Sequence, residues 1–357
     1  MTIESPLKIE TGPGRGAWAA PVRTFFSRLF KQDILGTVCA GLLAAIVVCA
    51  LLAPWIAPYD FDAIDLTSLM QGPSWSHHLG TDELGRDILS RIIYGARTSV
   101  IVCITAALLS LALSVTLGVL SGYFGGRLDA LVQRFVDTWQ SFPDLIVLIA
   151  GVAVLGPGIV QIIALLGILY GVAGSRIVRG AVLSAREQLY VQAGHSFGAG
   201  NWHIILRHIL PTIAAPLIVL YTTRLGGVIL AESSLSFLGL GVPPPAPAWG
   251  RMLSDARPYM FENVWMVAAP GLAITLIQGH VTALSESDVG QASNHPGHGD
   301  IPRFQRRPRG GMASSSPESR MRSYSFILAT RFAMVLKLVS MPPSQRWLMY
   351  GMLQRSA

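Results

Sequence analysis

The chain has 357 residues, 51% of them hydrophobic and 13% charged, with a mean hydropathy of +0.49. About a quarter of a soluble domain is charged, so this composition excludes an ordinary soluble protein and points to a polytopic membrane protein. The net charge of +7 does not make a nucleic-acid binder: residues 1–277 hold 17 Lys/Arg against 16 Asp/Glu, and the excess lies in the tail beyond them.

Residues 1–33 carry Lys8, Arg15, Arg23, Arg28 and Lys31 ahead of 34–56, which has no charge. About 20 helical residues cross about 30 Å of hydrocarbon, so 34–56 reads as a spanning helix. It is too long for a signal-peptide core and reads as an uncleaved anchor. Its basic flank predicts a cytoplasmic N-terminus. Residues 57–98 open with Asp60, Asp62 and Asp65 and are expected outside; 99–124 returns inward as the second span.

The third span, 129–155, has two characters. Arg134, Asp137, Ser141 and Asp144 recur at spacings of three and four, which places them on one helical face, flanked by Gln133 and Gln140. The apolar half follows and ends in the turn Leu155-Gly156-Pro157-Gly158. Residues 159–177 form the fourth span, where Gly167 and Gly171 permit close helix packing.

Residues 186–212, REQLYVQAGHSFGAGNWHIILRHILPT, are polar, cationic and glycine-punctuated between two apolar spans. Positive charge and four crossings predict a cytoplasmic position. Two short helices are expected, broken at Gly198-Ala199-Gly200, with Asn201 capping the second and Pro211 following its end. The alternative is an ordinary solvated loop. The fifth span, 213–231, carries Arg224, and 232–262 reads as an external loop rich in glycine and proline. The sixth begins at 263, but its apolar run stops at Ile277, which allows only about 22 Å of helix. From Gln278 the composition turns to Arg, Ser, Pro, Gly and His and predicts disorder; 324–341 is interrupted by Arg331 and Lys337.

No catalytic, metal or cofactor motif is present. There is no His-Glu-x-x-His and no Gly-x-Ser-x-Gly, and Lys8, Lys31 and Lys337 do not follow glycine, so no Walker A loop exists. Cys39, Cys49 and Cys103 lie in apolar runs and read as core residues. Energy for uphill movement must then come from another chain. An unpaired Arg224 in mid-span costs at least about 2.5–3.5 kcal/mol, so it should face a cavity or a partner; a wall of a translocation path and a structural ion pair both fit. Arg134 and Asp137 can pair at i, i+3, whereas Asp144 has no evident partner.

The loop resembles the "EAA" loop of binding-protein-dependent ABC importer permeases: Glu-Ala-Ala, three residues, Gly, then about nine residues to His-x-Leu-Pro. Here these positions are Gln192-Ala193-Gly194, Gly198, and His208-Ile209-Leu210-Pro211, with Gln192 and Gly194 as departures. A second resemblance is to C-type subunits of peptide and nickel importers. It rests on HLGTDELGRD at His78–Asp87, Ser90-Arg91, Tyr94-Gly95-Ala96-Arg97, Gly122-Tyr123-Phe124-Gly125-Gly126, Asp137 with Phe142-Pro143, Leu155-Gly156-Pro157-Gly158, and LSFLGLG from Leu235 to Gly241 with Trp249-Gly250.

The resemblance implies an all-α inner-membrane permease of about six transmembrane helices with a cytoplasmic coupling loop. It divides the chain into a cytoplasmic segment (1–33), a first span with external loop (34–98), a permease core (99–277) and a divergent tail (278–357). It implies a second permease subunit, two ABC ATPase subunits docked on the coupling loops, and a periplasmic solute-binding protein. The coupling residues would be Gln192, Ala193, Gly194, Gly198, His208, Leu210 and Pro211, and candidate path residues are Arg134, Asp137, Asp144 and Arg224. Di- and oligopeptides lead as substrates; nickel is the other class.

Where the resemblance expects the last span to continue, the sequence reads Gln278-Gly279-His280-Val281-Thr282. The hypothesis of a reading-frame change, leaving the last helix incomplete and the copy impaired, fails if no frame of the downstream DNA restores the span. A secondary transporter is the rival, but it should show internal repeats, and none is evident. A membrane enzyme should show clustered catalytic residues.

Overall fold

The computed structural model describes residues 34–293, with side chains from 37 to 285. The predicted N-terminal segment and the tail from 294 onward lie outside the described residues. Among the described residues every regular element is helical, and the one β-bridge joins Thr81 to Asp87. The chain is therefore the expected all-α membrane protein.

Helix α1, Ile34–Leu51, is followed by a short turn of helix, Ala53–Ile56, so the first apolar run is broken at Leu52. Pro54 explains the break, since proline is tolerated in a first turn but not in a helix interior. Helix α2 starts at Ile88 and ends in a π-turn at Phe124. Its first turn is capped by Asp87, whose carboxylate accepts from the backbone N–H and the hydroxyl of Ser90, both at 2.8 Å.

The third predicted span is two helices, α3 (Gly126–Trp139) and α4 (Asp144–Leu155), bent by 87°. Proline disfavours helical backbone in the residue before it, so Phe142-Pro143 separates the amphipathic half from the apolar half. Helix α5 runs Ile159–Arg186, past the predicted end at 177. It forms the most extensive helix pair with α2. The two expected glycines sit in that contact: a Cβ on Gly167 would lie 2.5 Å from Leu109 Cδ2, and one on Gly171 2.7 Å from Leu113 Cβ.

Helix α6 is Leu189–Ser196, and α7 covers 201–212, with a π-turn at Ile205–Ile209. Pro211 explains the widened turn, because it cannot donate to the carbonyl four residues back. Helix α8, Ala214–Phe237, continues through Glu232 instead of stopping at Ala231. Helix α9, Trp249–Ala256, packs against α8 and against α10, Trp265–Ser293.

Helix α10 corrects the expectation of an incomplete last helix, since its spanning portion is Trp265–Ser285, 21 residues long. Ile277 and Val281, one turn apart, are each 3% exposed, so the buried stripe crosses the compositional break. The polar residues beyond it make hydrogen bonds along the helix, although Gln278 Oε1 is left without a partner. Gln278 donates to Thr282 Oγ1 at 3.5 Å, His280 Nδ1 meets the Leu276 carbonyl at 2.5 Å, and Ser285 donates to the Thr282 carbonyl at 2.8 Å.

Helices α2, α5, α8 and α10 are long and apolar enough to cross a membrane, and α3 with α4 adds a fifth if the bent pair is counted as one span; α1, over its described side chains Thr37–Leu51, is shorter. Two cores result. One joins α1, α2, α4, α5, α8, α9 and α10, and the other holds α6 and α7 against the ends of α2 and α5.

Candidate functional site

The α6–α7 loop is built from its inner face outward. Val191, Ile204, Ile205, Ile209 and Ile213 are buried against Val119, Tyr123, Val178, Val182 and Ala185. Arg186, at the end of α5, donates to the Tyr123 carbonyl at 2.9 Å, and the Tyr123 hydroxyl donates to Asn201 Oδ1 at 3.1 Å. The Tyr123 ring stacks on His195 with centroids 6.1 Å apart. Tyr190 closes the other side: Thr212 Oγ1 donates to the His208 carbonyl, so the Tyr190 hydroxyl donates to Thr212 at 2.7 Å.

The expected coupling residues share this one loop. Gly198 has φ +77°, which ends α6. Around it the Ala199 N–H reaches the Gly194 carbonyl and the Gly198 N–H the His195 carbonyl, both at 3.0 Å, the Schellman pattern that favours glycine. The cap of α7 differs from the expectation. Gly200 is its N-cap, and Asn201 is the first helical residue, its side chain taken by Tyr123. Gln192 is exposed and donates to the Glu187 carbonyl at 3.1 Å, while the Ala193 carbonyl accepts from the Phe197 N–H at 3.0 Å. Gly194 has room, since a Cβ there would first meet Ile204 at 3.9 Å.

His208 is half-buried beside Tyr190 and His203, with Leu210 half-buried and Pro211 buried next to it. Burial, then the charges of His203 and Arg207, hold its imidazole below the usual histidine range. The outer face of the loop is apolar and uncovered: Phe197 is 91% exposed, Leu189 81% and Trp202 64%.

The expected path residues separate into two groups. Asp137 pairs with Arg176 on α5, not with Arg134, because α3 turns its acidic side towards α5. Arg134 is exposed and makes no ion pair among the described residues. A second pair that the sequence does not announce, Arg179–Asp129 at 2.6 Å, ties the same two helices. Its partners are 50 residues apart, so no local spacing reveals it.

Arg224 lies over the Tyr170 ring at 5.3 Å, and its Nε has no hydrogen-bond partner. Asp144, in the first turn of α4, is the carboxylate whose charge acts on this Arg224–Tyr170 contact. Arg224 and Asp144 thus share a neighbourhood without closing an ion pair. The arrangement offers a docking face at one end and opposed charges within the spans; among the described residues it offers no grouping of metal ligands.

Comparison with known proteins agrees with these features. Residues 114–284 match the family described as "Binding-protein-dependent transport system inner membrane component". Residues 23–73 match the "N-terminal TM domain of oligopeptide transport permease C". The di/tripeptide transport system permease protein DppC of Pseudomonas aeruginosa is 40% identical over 72% of this chain and 87% of its own length. The glutathione transport system permease protein GsiD of Pectobacterium atrosepticum is 38% identical, covering 72% and 85%. The dipeptide transport system permease protein DppC of Alkalihalophilus pseudofirmus is 38% identical, covering 72% and 84%.

Proposed function

The chain belongs to the family of binding-protein-dependent transport system inner-membrane components, as a permease subunit of the peptide and glutathione ABC importer type, and from that premise we propose that it carries di- and oligopeptides inward. The substrate class is the chemistry shared by the relatives' names, since glutathione is itself a tripeptide. A second permease subunit completes the path. Two ATPase subunits supply the energy, and a solute-binding protein delivers substrate in the periplasm. The N-terminus and the α6–α7 loop face the cytoplasm.

The observation that carries this reading is the uncovered face of Leu189, Phe197 and Trp202 on a loop whose opposite face is fully packed. Large uncovered apolar side chains mark a contact with another molecule, and a chain without a Walker A loop needs an ATPase there. Docking moves α6 and α7. Tyr123 and Arg186 pass that movement to α2 and α5, and the ion pairs Asp129–Arg179 and Asp137–Arg176 carry α3 with them. Asp144 and Arg224 then line the path, where opposed charges suit a zwitterionic peptide.

Reconstitution into liposomes with the partner permease, ATPases and binding protein tests the proposal. ATP-dependent accumulation of a labelled dipeptide, absent when the ATPases are left out, is the expected result. Full activity of the chain alone under an ion gradient would overturn it in favour of a secondary transporter.

A further inference from the structure

The acidic side chain of Glu232 is 1% exposed within α8, and nothing in the transport reading uses it. Its Oε1 accepts from the Ser236 hydroxyl at 2.7 Å. Ser99 on α2 and Ser233 on α8 lie close enough to act on the same carboxyl, but neither hydroxyl, nor Oε2, makes a hydrogen bond of normal geometry. Among the described residues no arginine or histidine pairs with Glu232, because every ion pair lies elsewhere. The buried Cys103 thiol on α2 lies near enough to feel the same carboxyl.

The surroundings form a tight knot of three elements. A Cβ on Gly241 would collide with Ser236 Oγ, and one on Gly250 with the Ser233 carbonyl, so the loop after α8 and the start of α9 press directly on the serines. Trp249 donates from Nε1 to the Ile92 carbonyl at 3.0 Å and joins α9 to α2. Glu232 lies beside Ser233 and Ser236, the two serines on which the loop and α9 press, and its Oε1 holds the Ser236 hydroxyl.

Hydroxyl groups can solvate a carboxylate, but they are neutral and supply no opposing charge. A carboxylate buried without one is driven to take up a proton. The protonated acid turns Oε2 into a donor, and the hydroxyls of Ser99 and Ser233 stand ready to accept. We propose that Glu232 holds a proton and acts, as a neutral acid, as the positioning residue that latches α9 and the loop before it onto α2 and α8. Loss of the proton to water leaves an uncompensated charge in the knot and releases α9.

Infrared spectroscopy of the assembled importer at neutral pH tests this, by comparing the wild-type chain with Glu232→Gln. The expected difference spectrum contains the carbonyl band of a protonated carboxylic acid, lost in the variant. Glu232→Gln should keep dipeptide uptake within about twofold, because the amide offers a donor and an acceptor in the same shape. Glu232→Ala should lower uptake about tenfold, because it strands buried hydroxyls. A carboxylate band in place of the acid band would overturn the proposal, as would a Glu232→Gln variant as impaired as Glu232→Ala.

Discussion

The two ends of α2 are built on opposite principles. At its start, α8 and α9 close on it through backbone-tight glycine contacts, a buried tryptophan and an enclosed acid. At its end, about 55 Å away for a helix of 37 residues, α6 and α7 pack an apolar inner face, add a few phenol and hydroxyl bonds, and leave an apolar outer face uncovered. Polar groups enclosed in a packed core hold one arrangement; an apolar face left open invites a second chain. One end of α2 is closed by contacts within the chain; the other carries the loop face that we propose a partner covers.

The strongest way to break this comparison is a pair of tryptophan truncations. Trp249, 2% exposed, packs on Gly95 and reaches Ile92, so Trp249→Ala should cost about 3–5 kcal/mol. Trp202, 64% exposed, makes no such contact, and Trp202→Ala should change stability by less than about 0.5 kcal/mol. Thermal unfolding in detergent reads both, and equal losses would erase the distinction between the two ends.

Glycines in the loop sharpen the comparison at a smaller scale. Gly194→Ala should raise loop stability by about 0.5–1 kcal/mol, because the helix has room for the methyl group and glycine costs helical entropy. Gly198→Ala should lower it by about 1 kcal/mol, because φ is +77° there. Hydrogen exchange across 189–212 separates the two, and the same sign for both would contradict the described backbone.

The smallest effect is a difference in pH response. The folded-state value of His208 lies below its unfolded value of 6.5, so its neutral form is favoured in the packed loop. Its contribution is fully present above that value and is lost as pH falls through it towards the lower folded value. Asp65 lies at the other end, in the segment before α2. Hydrogen bonds from Thr67 and Ser68 lower it from 3.8 to about 2. Its contribution persists above 3.8 and is lost only as pH falls from there towards 2. Hydrogen exchange at mildly acid pH should therefore loosen 189–212 before residues 65–68, and the reverse order would count against both assignments.

Much of this arrangement is legible in the sequence, for identifiable reasons. Uncharged runs mark the spans, Gly167 and Gly171 mark the α2–α5 contact, and Gly198 marks the end of α6. What escapes is set by partners far along the chain. Asp137 has Arg134 one turn before it, but its partner is Arg176, 39 residues away. Glu232 reads as the start of a loop because it is an acid, and only the serines of α2 and α8 make it part of a span. Ile277 reads as an end because the composition changes there. The helix continues because Val281 keeps the buried stripe and Gln278 finds Thr282.

The central claim is that the uncovered loop face receives the ATPase, and Phe197, 91% exposed, tests it most directly. Affinity purification of the assembled importer carrying Phe197→Asp should recover the chain with its own thermal stability unchanged, its ATPase partners lost and dipeptide uptake abolished. Retention of the ATPases with undiminished uptake would contradict the account.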